Sequence, residues 1–174
     1  MAIYPIREDT LLVKRNLQKQ ELEGKKFLEI GTGNGEIALT AAKNGAKITG
    51  VDINPEAVKH TRKRFEESNL DGEFFKSNLF EQVEGKYDFI VFNPPYLRGE
   101  NGIGDEEMWR GGETGLEVAE RFLDTVSEYL SDKRTVWVVL SSRTDLGRLV
   151  NQHNLTEIDS VKVWFEEIHL FKLE

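Results

Sequence analysis

The chain contains no cysteine. That single absence removes disulfides, thiolate nucleophiles and zinc–thiolate sites together. Histidine is scarce as well: His60, His153 and His169 stand far apart with no ligand spacing, so no metal centre is expected. No apolar run approaches the ~20 residues that span a bilayer, and the opening segment "MAIYPIREDT" has no basic stretch leading into an apolar one. A cytoplasmic location and no membrane contact are the expectation. Positive charge is also short, with 23 Lys and Arg against 31 Asp and Glu for a net charge of -8. Such a balance repels a phosphate backbone and counts against nucleic acid as a partner. Repeats, low-complexity tracts and linkers are missing too, and 174 residues match one domain, residues 1–174, at roughly 100 to 200 residues per domain.

What is present alternates between two periods. "KKFLEI" at 25–30 reads as a buried strand, "GTGNG" at 31–35 as a glycine loop, and "EIALTAAKNG" as a helix stopping at Gly45. "AKITGVD" at 46–52 reads as a second strand, followed by a helix for which Asn54 is the cap and Pro55 the first residue. Strands are predicted at "EFFKSN" and at "YDFIVF", residues 87–92, the latter apolar on both faces as a central parallel strand should be. A polar, glycine-rich stretch runs from Leu97 to about Thr114. After it come a helix from about Gly115 to Tyr129, the strand "RTVWVVLS" at 134–141, a helix over about Arg143 to Gln152, and two antiparallel strands in the tail. The fold class is therefore α/β, a mostly parallel sheet of seven strands with an antiparallel C-terminal hairpin. Trp137 and Trp164 are expected in strand cores, His153 in a loop and His169 in an alternating strand.

In "LEIGTGNG" three glycines, Gly31, Gly33 and Gly35, alternate directly after the first strand and open a helix, where backbone N–H groups face a ligand. Asp52 ends the second strand, 21 residues after Gly31, where an acid chelates a ribose diol in nucleotide-binding α/β folds. Both a dinucleotide and S-adenosylmethionine satisfy this much. The spacing, however, is G-x-G-x-G with Glu36 at the place of a dinucleotide site's third glycine, and Glu29 precedes the loop by two residues. A carboxylate there repels a pyrophosphate and suits an ammonium-bearing cofactor, which favours S-adenosylmethionine.

Taken together, "LEIGTGNG", "VDINPEAV" and "FNPPY" resemble the class I, Rossmann-like methyltransferases of the HemK/PrmC family, which methylate the glutamine of the GGQ motif in peptide-chain release factors. "YPIREDTLL" and "GIGDEEMWRGGETGLEVAERF" resemble signatures of that family's short archaeal and eukaryotic branch, and the likeness spans about residues 4–141. The resemblance implies that Asp9 and Thr10 lie over the methionine end of the cofactor and that Glu29 and Gly31 line its pocket. It implies further that Asp52, with Ile53, holds the ribose, and that Asn78 and Leu79 meet the adenine. Two positions depart from the pattern: Asn78 stands where the family usually has aspartate, and Pro5 falls one place early, leaving Ile6 at the signature position. The branch works with a small zinc-binding activator that pairs along a sheet edge. The third strand places Phe74, Phe75 and Phe80 near such an edge, where core packing and partner contact compete as explanations.

The corner "NPPY", Asn93 to Tyr96, carries the chemistry. An amide nitrogen or an adenine amine is a poor nucleophile because its lone pair is delocalised. Two acceptors on its two N–H groups let it become tetrahedral and aim that pair at a sulfonium methyl. Asn93 offers a side-chain carbonyl beside the cofactor crevice, Pro94 a backbone carbonyl, and the locked φ angles of Pro94 and Pro95 hold both still. Tyr96 is placed to stack on the planar group, while for Trp109 a place on the border of the substrate channel and a role as a buried anchor compete. The corner alone does not choose between glutamine and adenine. The acidic charge and the absence of a basic domain favour protein-glutamine methylation, with adenine or lysine methylation, or a non-catalytic S-adenosylmethionine-binding subunit, as alternatives.

Overall fold

The computed structural model describes residues 3–95 and 116–174. In chain order these form α1 (Glu8–Leu17), β1 (Lys26–Ile30), α2 (Glu36–Lys43), β2 (Lys47–Asp52), α3 (Pro55–Glu67), β3 (Gly72–Lys76) and β4 (Tyr87–Phe92). The second stretch contains α4 (Glu117–Thr125), a 3₁₀ turn at Val126–Tyr129, β5 (Leu130–Ser141), α5 (Leu146–His153), β6 (Leu155–Val163) and β7 (Glu166–Leu173). All seven strands join one sheet in the order β3-β2-β1-β4-β5-β7-β6. The first five pair in parallel, and β7 runs antiparallel to both β5 and β6.

The apolar composition of β4 follows from its place between β1 and β5. Phe89 and Val91 pack into the core shared with α1, α2 and α3, whereas Ile90 and Phe92 pack into the core that holds α4 and α5. A strand buried on both faces has no use for polar alternation. Phe89 stacks on Phe27 at 5.2 Å between ring centroids and meets the edge of Trp137 at 4.8 Å, which locks three neighbouring strands on one face. The first helix after β2 starts as expected, with the Asn54 side chain accepting a hydrogen bond from the Glu56 N–H at 3.0 Å and Pro55 in the first turn.

Several sequence expectations change. Strand β5 begins at Leu130, four residues early, because the pairing skips from Tyr87–Leu130 to Phe89–Thr135 through an irregularity that the β-branched pattern does not announce. Helix α4 starts at Glu117 and its end tightens into the 3₁₀ turn, while His153 is the last residue of α5 rather than a loop residue. Helix α1 has no counterpart in the sequence reading. Trp164 is not in a strand core: it occupies the two-residue turn between β6 and β7 and is 94% exposed. At the β3 edge, packing claims Phe74 and Phe80. Phe74 meets the Phe65 ring of α3 edge-on, Phe80 stacks between Phe122 and Tyr129, and only Phe75 is partly buried.

Candidate active site

The order of strands reverses between β1 and β4, so the crossovers leave a crevice at the C-terminal ends of these strands. Open α/β sheets bind ligands there. Gly31 and Thr32 both donate their N–H groups to the Val51 carbonyl, at 2.7 and 3.1 Å, which folds the glycine loop across the end of β2. Gly31 takes φ 71 to do so. Gly35, at φ 78, caps α2 in the left-handed region, and a Cβ there would lie 2.8 Å from the Thr61 side chain. The missing side chain lets α2 pack closely against α3.

The crevice is a cavity of about 770 Å³, within the size range of cofactor sites. Its wall brings together Asp9, Thr10, Glu29, Gly31, Gly33, Asp52, Ile53, Asn78, Leu79, Asn93, Pro94 and Pro95. Residues from five separate segments of the chain thus meet at one site. Tyr96 and Trp109 lie outside the described residues.

Asp52, Glu29, Asp9 and Asn78 are each held by definite partners. Asp52 accepts from the Gly33 N–H at 2.9 Å and the Asn54 N–H at 2.8 Å, with the Ile53 N–H also on it. Three backbone donors occupy most of a carboxylate's four acceptor positions, so Asp52 both braces the glycine loop and keeps one position for a hydroxyl. Burial raises its pKa despite those donors. Glu29 is 2% exposed and accepts from the Ala38 N–H in the first turn of α2 at 3.0 Å. Burial pushes its carboxyl well above the usual value, the Ala38 N–H opposes this, and the neighbouring Asp52 adds to it. Among the described residues neither acid has a Lys or Arg partner. A cation entering the cavity meets both.

The N-terminal segment closes one side. Tyr4 donates its hydroxyl to Asp9 at 2.6 Å, Asp9 accepts from the Thr10 N–H at 2.5 Å, and Asn34 of the glycine loop donates to the Tyr4 carbonyl at 3.0 Å. Glu36 ties this lid to the loop, bonded by Lys14 of α1 at 2.6 Å and Arg64 of α3 at 2.9 Å. Burial would raise the Glu36 pKa, but the two cations outweigh it and hold it below the ordinary value. Tyr4, Lys14, Asn34 and Arg64 escaped the sequence reading. Tyr4 lies five residues before Asp9, which is a local signal, but the pairing of Arg64 with Glu36 joins two helices and has none. Across the cavity Asn78 donates to Glu81 at 2.7 Å, leaving its carbonyl oxygen as the group available to an adenine amine.

Three buried polar atoms on the wall have no hydrogen-bond partner among the described residues: Thr32 Oγ1, Asn54 Nδ2 and Asn93 Oδ1. Buried polar atoms are satisfied in the great majority of native structures, so a cluster of exceptions around one cavity marks a place completed by a ligand.

The chain matches the methyltransferase small domain family model over residues 8–162. It belongs to that family. The methyltransferase is 38% identical to a protein N5-glutamine methyltransferase of Methanocaldococcus jannaschii, over 95% of this chain and 88% of the relative. It is 30% identical to the release factor glutamine methyltransferase of Agrobacterium fabrum, over 88% of this chain and 58% of that protein, so it spans little more than half of the longer relative. Among solved structures it superposes on the ribosomal protein L11 methylase of Lactobacillus delbrueckii subsp. bulgaricus with a TM-score of 0.75 at 16% identity, covering 99% of this chain and 82% of that one. A 16S rRNA methyltransferase of Thermus thermophilus, solved with AdoMet and guanosine, gives 0.72 at 21% identity, covering 98% of this chain and 44% of that one. At these identities the likeness of the methyltransferase to the two structures is one of fold, and the fold is the Rossmann-like class I architecture expected from the sequence.

Proposed function

We propose that this methyltransferase uses S-adenosylmethionine to methylate the side-chain nitrogen of a glutamine, the one in the GGQ motif of a peptide-chain release factor. The observation that carries this reading is Asn93 Oδ1, a buried acceptor without a partner among the described residues at the end of the central strand, on the same wall as Glu29 and Asp52. The names of the relatives agree with it.

The acidic wall fits the cofactor. Glu29 would hold its ammonium and Asp52 a ribose hydroxyl, while Ile53 and Leu79 border the adenine with Asn78 at its amine. When bound, the cofactor supplies a sulfonium methyl, whose C–S bond breaks with its electron pair staying on sulfur. Asn93 Oδ1 and the Pro94 carbonyl would accept the two N–H groups of the substrate amide and draw its lone pair out of conjugation, and the role expected of Tyr96 is to stack on the amide plane. The substrate nitrogen would take that methyl group and release one proton to water. No strong base is needed, because orientation and preorganised acceptors supply the rate. Pro94 and Pro95 keep those acceptors from rearranging.

The same reading places the enzyme in the cytoplasm as a single domain, with a small zinc-binding activator along the open edge of β3. The test is mass spectrometry of a release factor after incubation with enzyme and cofactor, alongside its glutamine-to-alanine variant and DNA. A gain of one methyl group on the GGQ glutamine alone supports the assignment. Labelling of DNA, or of the alanine variant, refutes it.

A further inference from the structure

The turn between β6 and β7 consists of Trp164 and Phe165, 94% and 91% exposed. Two-residue hairpin turns favour asparagine and glycine because the tight turn demands the left-handed backbone region, which larger side chains resist. Trp164 adopts that region, with φ 52. Turn chemistry therefore argues against tryptophan here, and burial offers it nothing in return. Two adjacent bulky aromatics standing in water at a strained turn call for an explanation outside folding.

Position supplies one. Strand β7 runs antiparallel to β5, with Ile168 opposite Ser141, so the turn projects from the sheet edge where the cavity opens. Glu166, the residue after Phe165, lines the cavity together with Asn93 and Pro95 and accepts the Ser141 hydroxyl at 2.6 Å. The base of the turn is fastened further by the Ser142 N–H, which donates to the Glu167 carbonyl at 2.8 Å, and farther along the hairpin Arg15 of α1 grips Asp159 of β6 at 2.9 Å. The aromatic tip is thus rigidly mounted at the rim of the reaction cavity and uncovered at its end.

Resting on the protein-glutamine reading above, we infer that Trp164 and Phe165 are a docking knob for the folded protein that carries the methylated glutamine. They seat in an apolar depression beside that glutamine and hold the substrate protein at the rim of the cavity. The occupant is a protein rather than a nucleic acid, because the knob is uncharged and flanked by Glu166 and Glu167 on a chain of net charge -8. A glutamine side chain by itself offers little binding surface, and a few large aromatic anchors supply most of the affinity in protein interfaces.

The experiment compares the full-length parent with Trp164→Ser/Phe165→Ser and with Trp164→Phe/Phe165→Tyr, using intact release factor as substrate at saturating cofactor. The serine variant should raise KM for the release factor by about tenfold or more, the scale of interface anchors, with kcat and cofactor Kd unchanged. The aromatic variant should retain the parent KM. An unchanged KM in the serine variant overturns the inference, and so does an equal loss in both variants, which would make the effect one of turn geometry. A fall in kcat or in cofactor affinity overturns it too. So does a parent dimer, seen by sedimentation, that the serine variant dissociates, since the knob would then seat on a second copy. A parent that methylates no release factor refutes the substrate reading itself, and the docking role with it; that result is separate from the others because it appears before any substitution is made.

Discussion

Replacing Glu29 by glutamine should make the protein more stable and its cofactor site worse. The carboxyl is fully buried, its pKa lies well above the ordinary 4.5, and the Ala38 N–H is its backbone donor. In the cofactor-free protein it therefore keeps a proton that the unfolded chain releases above about pH 4.5. A group whose folded pKa is raised contributes stability that is fully present below the unfolded pKa and is lost as pH rises through the folded one. The loss amounts to about 1.4 kcal/mol per pH unit for one proton. The substituted amide would still accept the Ala38 N–H but cannot titrate, so Glu29→Gln should unfold at a higher temperature than the parent, by a margin that grows as pH rises above 4.5 and levels off once the folded carboxyl has titrated. Binding behaves in the opposite way. An ammonium in the cavity requires the carboxylate, so the parent should release up to one proton on binding cofactor. Losing a charge-assisted hydrogen bond costs about 1.5 to 3 kcal/mol, or about 10- to 150-fold in affinity. Calorimetric titration in two buffers of different ionisation enthalpy measures both quantities. A variant that binds as tightly as the parent, with the same proton release, would refute the role of Glu29 and the electrostatic reasoning behind it.

Three further outcomes are expected. Asn93→Ala should bind cofactor like the parent while kcat falls by about 10² to 10³, the usual effect of removing one preorganised contact at a reacting group; full turnover would sink the acceptor mechanism. Asp52→Ala should weaken cofactor binding and lower the melting temperature together, because the N–H groups of Gly33, Ile53 and Asn54 lose their acceptor at about 1 to 3 kcal/mol for each buried donor left unsatisfied. Loss of binding with no change in melting would show that Asp52 does not brace the loop. Gly35→Ala forces a side chain into φ 78 and against Thr61 at 2.8 Å, so its urea midpoint should fall by about 1 to 2 kcal/mol equivalent or more. An unchanged midpoint would mean that the α2–α3 contact relaxes without cost.

The sequence by itself determined the class of fold and the positions of most of the site, for reasons of local physics. Period and turn chemistry place strands and helices, and residues that end a strand in a parallel sheet must meet at one edge, so Glu29, Asp52 and Asn93 were legible as neighbours. Asn54 and Pro55 announced a helix start that depends on adjacent residues alone. What only the tertiary structure decided depends on groups that meet across the sheet. Gly35 proved to serve helix packing because Thr61, distant in sequence, fills the space beside it. Phe74 and Phe80 were claimed by aromatic partners on α3 and α4, which no pattern within their own strand could reveal. Glu36 became a clasp through Lys14 and Arg64, and Trp164, apolar and β-favouring by type, was turned out into water by a hairpin register set against β5 and β7. Local preference is a property of neighbours in the chain, whereas exposure, acid–base character and an acceptor left without a partner are properties of neighbours in space.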